Sequence, residues 1–208
     1  MNFLAHLYLS GEDVEIRLGN FIGDYVKGKT IFSYPKTIQK GINLHRAIDF
    51  HTDKHSSWKI CRELLKESYG RWAGVVTDVM FDYILAKEWE NYSNRPLKGF
   101  TRTFYFQMLQ RYHLLPPRVR GFLPFMIHSN RLYSYRSDSG IIKALNTMSN
   151  HTSLQGDPEQ ALNVVKNNYE LLREKLNKLL SDLTIMVERE FQIQPSMRHI
   201  ATYRSVKG

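Results

Sequence analysis

Three histidines, two aspartates, an arginine and a lysine crowd into the fifteen residues Gly41-Ile42-Asn43-Leu44-His45-Arg46-Ala47-Ile48-Asp49-Phe50-His51-Thr52-Asp53-Lys54-His55. On a helix, His45 and Asp49 stand four apart and roughly 40° from each other in projection, so both face the same way. An imidazole and a carboxylate so placed can grip one divalent ion. Ile42, Leu44, Ala47, Ile48 and Phe50 are dense enough to hold such a helix against a core. A capped amphipathic helix with surface histidines gives the same pattern, with Thr52 or Asp53 starting the next helix. A second pair, Asp78 and Asp82, is also four apart and sits among Val75, Val76, Val79, Met80, Phe81, Ile84 and Leu85. Ionised carboxylates in apolar surroundings need a partner, either a metal or basic side chains from another helix. His6 and Asp24 add one polar group each to apolar stretches. Nitrogen and oxygen donors without sulfur suit Mn²⁺, Mg²⁺, Fe²⁺ or Zn²⁺, ions that polarise phosphoryl oxygens and acidify water. Arg46 has the fork geometry to hold phosphate oxygens.

Positioning these groups takes several helices, and helical periodicity runs through most of the chain. The spacing predicts helices over 13–27, 36–50, 53–68, 71–92, 97–113, 117–133 and 138–150, and one long helix from Pro158 to about 190. Gly19 and Gly23 weaken the first of these and can admit another backbone at close range. Asn20 and Asp24 share one face of it. Asp157-Pro158-Glu159-Gln160 carries the cap, the first-turn proline and the capping-box partner of a helix start. The expectation is a single all-α domain, a helical bundle over residues 1–192, followed by a loose basic tail at 193–208.

The chain has 208 residues and a formal net charge of +9. That excess implies an acidic partner or substrate. Cys61 is the only cysteine, so an intrachain disulfide and a thiolate zinc cluster are excluded, and a cytoplasmic setting fits. The apolar opening lacks a basic leader and is interrupted by His6, so it reads as no signal peptide. No apolar run approaches the ~20 residues of a membrane span. There is no P-loop and no G-x-S-x-G elbow, and no Gly-rich RNA-binding signature beside the aromatics of 97–113.

Four motifs, in order, resemble the acyl carrier protein phosphodiesterase family. They are Asn2-Phe3-Leu4-Ala5-His6-Leu7, Gly19-Asn20-Phe21-Ile22-Gly23-Asp24, His45-Arg46-Ala47-Ile48-Asp49 with Thr52-Asp53, and Asp78-Val79-Met80-Phe81-Asp82. The likeness spans about residues 1–150, taking in Arg131-Leu132, Tyr135-Arg136, Leu145-Asn146 and Met148. It implies an HD-domain-like fold, distantly related to HD-domain metal phosphohydrolases. In those proteins the central His and Asp are adjacent, whereas here Arg46 follows His45 and the nearest acid is Asp49. It implies hydrolysis of holo-acyl carrier protein to apo-carrier protein and 4′-phosphopantetheine, within fatty acid and lipid metabolism. Mn²⁺ would be the usual metal. His6, Asp24, His45, Asp49, Asp78 and Asp82 then become the expected ligands, with Asp24, Arg46 and Asp49 in catalysis. Lys27, Lys29, Arg131 and Arg136 are expected at the substrate surface, facing an acidic protein rather than nucleic acid or membrane. Two other readings fit the residues: an HD-like phosphohydrolase of a small nucleotide, and a non-catalytic basic helical module that binds RNA or an acidic protein. Metal content separates the last from the other two.

Overall fold

The periodic stretches become helices in the computed structural model, which describes residues 1–195 except 153 and 155. In order they are α1 (Phe3–Leu9), α2 (Val14–Ile22), α3 (Lys36–Lys54), α4 (Ser56–Tyr69), α5 (Ala73–Lys87), α6 (Leu97–Gln110), α7 (Pro117–His128), α8 (Arg131–Ser134), α9 (Asp138–His151), α10 (Pro158–Asn167) and α11 (Tyr169–Phe191). Short 3-10 turns join several of them, and the described residues contain no strand. The fold is all-α, as periodicity predicts.

Local chemistry sets several helix starts. Asp13 accepts from the Glu15 and Ile16 amides at α2, Ser137 from Gly140 at α9, and Asp157 from Glu159 at α10. Each satisfies a backbone donor that has no partner inside the helix. The α3–α4 junction differs from expectation. Helix α3 runs on to Lys54, and His55 caps α4 by accepting the Ser57 amide on Nδ1. The helix expected over 13–27 stops at Ile22 and tightens into the 3-10 turn Gly23–Tyr25. The stretch expected as one helix over 117–133 is broken by Asn130, whose φ of 43° is left-handed. The long C-terminal helix is two, meeting at Asn168, where the side-chain amide donates to the Val164 carbonyl. Helix α1 forms in the apolar opening stretch, which periodicity had left unassigned.

Helix α5 is buried on nearly every side, with Val76, Val79, Met80, Phe81, Tyr83, Ile84 and Leu85 all at 0–1% exposure. A helix apolar all round belongs at the centre, and α1, α4, α9, α10 and α11 pack on it. Around it one hydrophobic cluster extends from Leu4 to Ile193. Ile193, the first residue of the expected tail, is buried; residues 196–208 lie outside the described residues.

The packing that matters most for the site is α2 against α3. A Cβ on Gly19 would fall 2.2 Å from the Ile38 carbonyl oxygen, and one on Gly41 would fall 2.3 Å from that of Ile16. The two backbones therefore touch, and only hydrogens fit between them. This crossing fixes the face of α3 bearing His45 and Asp49 against the end of α2.

Candidate metal centre

Four side chains from three places converge. Helix α1 supplies His6, the turn after α2 supplies Asp24, and α3 supplies His45 and Asp49. The imidazoles of His6 and His45 stack, with centroids 4.2 Å apart and planes 17° from parallel. Asp49 bridges them: its Oδ1 lies 3.1 Å from Nε2 of His6, and its Oδ2 lies 3.1 Å from Nε2 of His45. Asp24 approaches Nε2 of His45 at 3.4 Å from the outside, with 63% of its side chain exposed. Gly23 makes this approach possible, because a Cβ there would sit 2.3 Å from Cγ of His45.

Hydrogen bonding fixes the tautomer of His6. Asn20 donates through Nδ2 to the His6 carbonyl at 2.9 Å and to Ser10 Oγ at 2.8 Å. Its Oδ1 is therefore left as an acceptor, 2.8 Å from Nδ1 of His6. Nδ1 carries the proton, and the Nε2 lone pair of the neutral ring points at a carboxylate oxygen. Two lone pairs at that distance repel unless a cation lies between them. His45 is in similar need. Both its ring nitrogens are buried and neither has an aligned hydrogen bond, although Nε2 is within ion-pair distance of two carboxylates.

Protonation answers only part of this. Burial and the neighbouring His45 charge push His6 down to about 4. Burial pulls His45 down too, but Asp24 and Asp49 outweigh it and push the ring up to about 9. Asp49, despite burial, is held far below the usual carboxylate range by the two imidazoles. Two stacked imidazolium rings would repel, so one proton at most settles on the pair. The donor set of two imidazole nitrogens and carboxylate oxygen, with ligand atoms of His6, His45 and Asp49 all within 4.8 Å of one another, fits a divalent ion such as Mn²⁺, Fe²⁺ or Zn²⁺.

The other residues singled out in the sequence lie in varied places. Asp78 accepts from Trp58 Nε1 at 2.8 Å, and its Oδ2 is 3.2 Å from the amino group of Met1, which also lies 3.4 Å from Asp49. Asp82 is fully buried and turned away. Its two oxygens accept the Leu4 and Ala5 amides at 2.8 and 2.9 Å and so cap α1 from a distance. Burial pushes it up to about 7 against those two donors. Arg46 is exposed and donates to the Val26 carbonyl at 3.0 Å. Lys27 and Lys29 are exposed just beyond the Asp24 turn. Arg131 reaches the Lys143 carbonyl and Thr147 Oγ1 on α9 and also bonds the Tyr135 side chain, and Arg136 donates to the Tyr133 hydroxyl. Cys61 is buried, which pushes its thiol up to about 12 and leaves it no nucleophile. Sequence reasoning passed over Asn20 as a determinant of the His6 tautomer. Its shared face with Asp24 was the one available sign.

Comparison with known proteins adds independent information. A family model described as acyl carrier protein phosphodiesterase matches residues 1–183. A protein of that name from Serratia proteamaculans is 35% identical over 122 residues, which are 58% of this chain and 63% of that one. Thus the match spans less than two thirds of the Serratia protein. A protein of the same name from Salmonella paratyphi A is 32% identical over 151 residues, covering 72% of this chain and 78% of its own. A third, from Salmonella dublin, matches to the same extent. No solved structure matches the chain.

Proposed function

Because the chain belongs to the acyl carrier protein phosphodiesterase family, whose members are phosphodiester hydrolases, we propose that it uses a divalent ion to hydrolyse holo-acyl carrier protein, releasing apo-carrier protein and 4′-phosphopantetheine. One observation supports the metal above all others: with its proton on Nδ1, His6 turns Nε2 toward the Asp49 carboxylate at 3.1 Å, a contact satisfied by a bound cation or by a second ring proton, and burial opposes the second proton. His6, His45 and Asp49 would hold the ion, with Asp24 closing the set from the outside and Asp78 next to Asp49. When bound, such an ion polarises a phosphoryl oxygen and lowers the pKa of water. Mn²⁺ is the proposed metal, with Mg²⁺ or Fe²⁺ suited to the same donors.

The protein's own groups then have distinct tasks. Asn20 keeps the His6 proton on Nδ1, leaving Nε2 free to ligate. Asp24, ionised and open to solvent, is placed to take a proton from the attacking water. Arg46, one turn from Asp49 on an exposed face, meets the non-bridging phosphate charge and strengthens that contact as charge builds. The interior carries an HD-domain-like arrangement on this reading, residues 1–192 act as one unit, and the reaction takes place in the cytoplasm. No helix among the described residues is long and apolar enough to cross a membrane.

Mass spectrometry of holo-carrier protein incubated with the purified protein and Mn²⁺ tests the reading. Loss of the whole phosphopantetheine group is the expected result. An intact prosthetic group alongside hydrolysis of a small nucleotide would replace it with the other phosphohydrolase reading.

Metal binding should also depend on pH. Below about 9 the ion must displace the proton of His45, so affinity for Mn²⁺ should climb about tenfold per pH unit from pH 7 to pH 8.5 and then level off. In the metal-free protein the same shift works on stability. The folded pKa of His45 lies above its ordinary value of 6.5. Its contribution is thus complete below pH 6.5 and is lost as pH rises through about 9. Calorimetric titrations of Mn²⁺ across this range check the affinity. A flat profile would remove His45 from the ligand set.

A further inference from the structure

The net charge is not spread over the chain. Residues 25–48 hold five lysines and arginines and no acid, and residues 91–137 hold eight and no acid. The remaining residues hold sixteen basic residues and all twenty acids, and so are net acidic by themselves. The whole positive excess therefore belongs to two stretches far apart in sequence.

Folding joins part of one stretch to part of the other beside the candidate centre. Tyr25, next to Asp24, lies 5.5 Å from the Phe122 ring of α7, and the Arg118 guanidinium of α7 lies 5.7 Å over Tyr25. Two residues on from Arg118, the Arg120 charge opposes the upward push of burial on the Tyr34 hydroxyl. On the other side, Arg46 holds the Val26 carbonyl. Lys27, Lys29, Arg46 and Arg118 are exposed here, and among the described residues none forms an ion pair. Two of the most exposed large apolar side chains belong to the same two segments, Phe32 at 71%, three residues after Lys29, and Phe125 at 75%, two turns after Arg118 on α7. Single exposed apolar residues are ordinary. Phenylalanines exposed to that extent, in segments that carry unpaired cations and no acid, have the composition of a docking surface: apolar anchors for contact and like charges for steering.

We propose that the surface made by residues 25–34 and α7 is where the acidic carrier protein docks, with Phe32 and Phe125 as anchors and Lys27, Lys29 and Arg118 facing its carboxylates. This deepens the reading above and rests on it for the partner's identity. The placement suits the chemistry, since Asp24, the exposed member of the metal cluster, opens at the edge of this surface. A serine-linked phosphate on a docked partner would enter there. Steering follows from unpaired cations gathered beside the site without acids among them.

Binding can be measured apart from turnover, by fluorescence titration of labelled apo-carrier protein at low and at physiological salt. The combined variant Arg118→Glu/Phe125→Ala should weaken binding by about tenfold or more at low salt, and Lys27→Glu/Lys29→Glu should do the same with a reduced salt dependence. Arg118→Lys should restore most of the charge effect, and circular dichroism monitors folding. Lys178→Glu on α11, outside both stretches, should leave the dissociation constant unchanged. On holo-carrier protein the surface variants should raise KM more than they lower kcat. Equal binding by wild type and both surface variants would overturn the proposal, as would wild type failing to bind the carrier protein. Tight, surface-dependent binding without loss of phosphopantetheine would leave the docking surface standing and refute the hydrolytic reading instead.

Discussion

Asp49→Ala should abolish both tight Mn²⁺ binding and phosphodiesterase activity while leaving the helical circular dichroism in place. The carboxylate faces both imidazoles, at 3.1 Å each, and no other group in the cluster touches both. Without it, His6 and His45 keep their stack but lose the shared anion that compensates a cation between them. Loss of an outer partner of a metal ligand costs 10–100-fold, so loss of a ligand should exceed about a hundredfold. The fold should survive because the Asp49 side chain is 37% exposed and water can solvate what it leaves behind. Metal analysis of the dialysed variant and a rate assay check both halves. Full metal content with full activity would remove Asp49 from the site. Asp82→Ala is the informative contrast. It leaves two buried amides without an acceptor, at a cost of about 1–3 kcal/mol each, so it should act on stability first.

Gly41→Val should have the largest effect on the fold. Even a bare Cβ would fall 2.3 Å from the Ile16 carbonyl oxygen, and what it meets is backbone rather than a side chain able to rotate away. Relief requires α2 and α3 to separate over their whole contact. Overpacking in cores costs about 1–3 kcal/mol when side chains can adjust, so about 3 kcal/mol or more is expected here. For a chain of this length that is a fall in Tm of roughly 10 °C. Separation would also carry Asn20 and Asp24 away from His6 and His45, so residual folded protein should bind metal weakly. An unchanged Tm would show that the two backbones are not in contact.

These two glycine and aspartate positions show how unevenly the molecule can be read from its chain. The helical class was legible because apolar residues recur at helical spacing from about residue 13 to 190. The starts at Asp157 and Ser137 are local chemistry, and a local reading finds Asp157 directly. The gathering of His6, Asp24, His45 and Asp49 was legible for a different reason: polar groups in apolar stretches need partners, and only His45 and Asp49, four apart, had one nearby in sequence. Where partners are remote and interchangeable, the same logic loses resolution. Asp78 and Asp82 are the same residue type, four apart on one buried helix, yet one faces the Met1 amino group beside Asp49 and the other holds the backbone of α1. Nothing in their spacing separates an ion-pair partner beside the candidate centre from a cap. The breaks at Asn130 and Asn168 are similarly hidden, since asparagine tolerates helix and turn alike and packing decides.

The bond from Asp82 to α1 has a consequence for the order in which the molecule assembles. A seven-residue helix is too short to persist alone in water, and Asn2 gives α1 no side-chain cap. Its missing acceptor is supplied 77 and 78 residues later. During synthesis the segment carrying His6 therefore has no fixed geometry until α5 has left the ribosome and folded against it. The segment is made well before the partner that places it. A half-made chain accordingly offers a passing metal ion His45 and Asp49 on one helix but not His6, and the complete set of donors exists only after long-range closure.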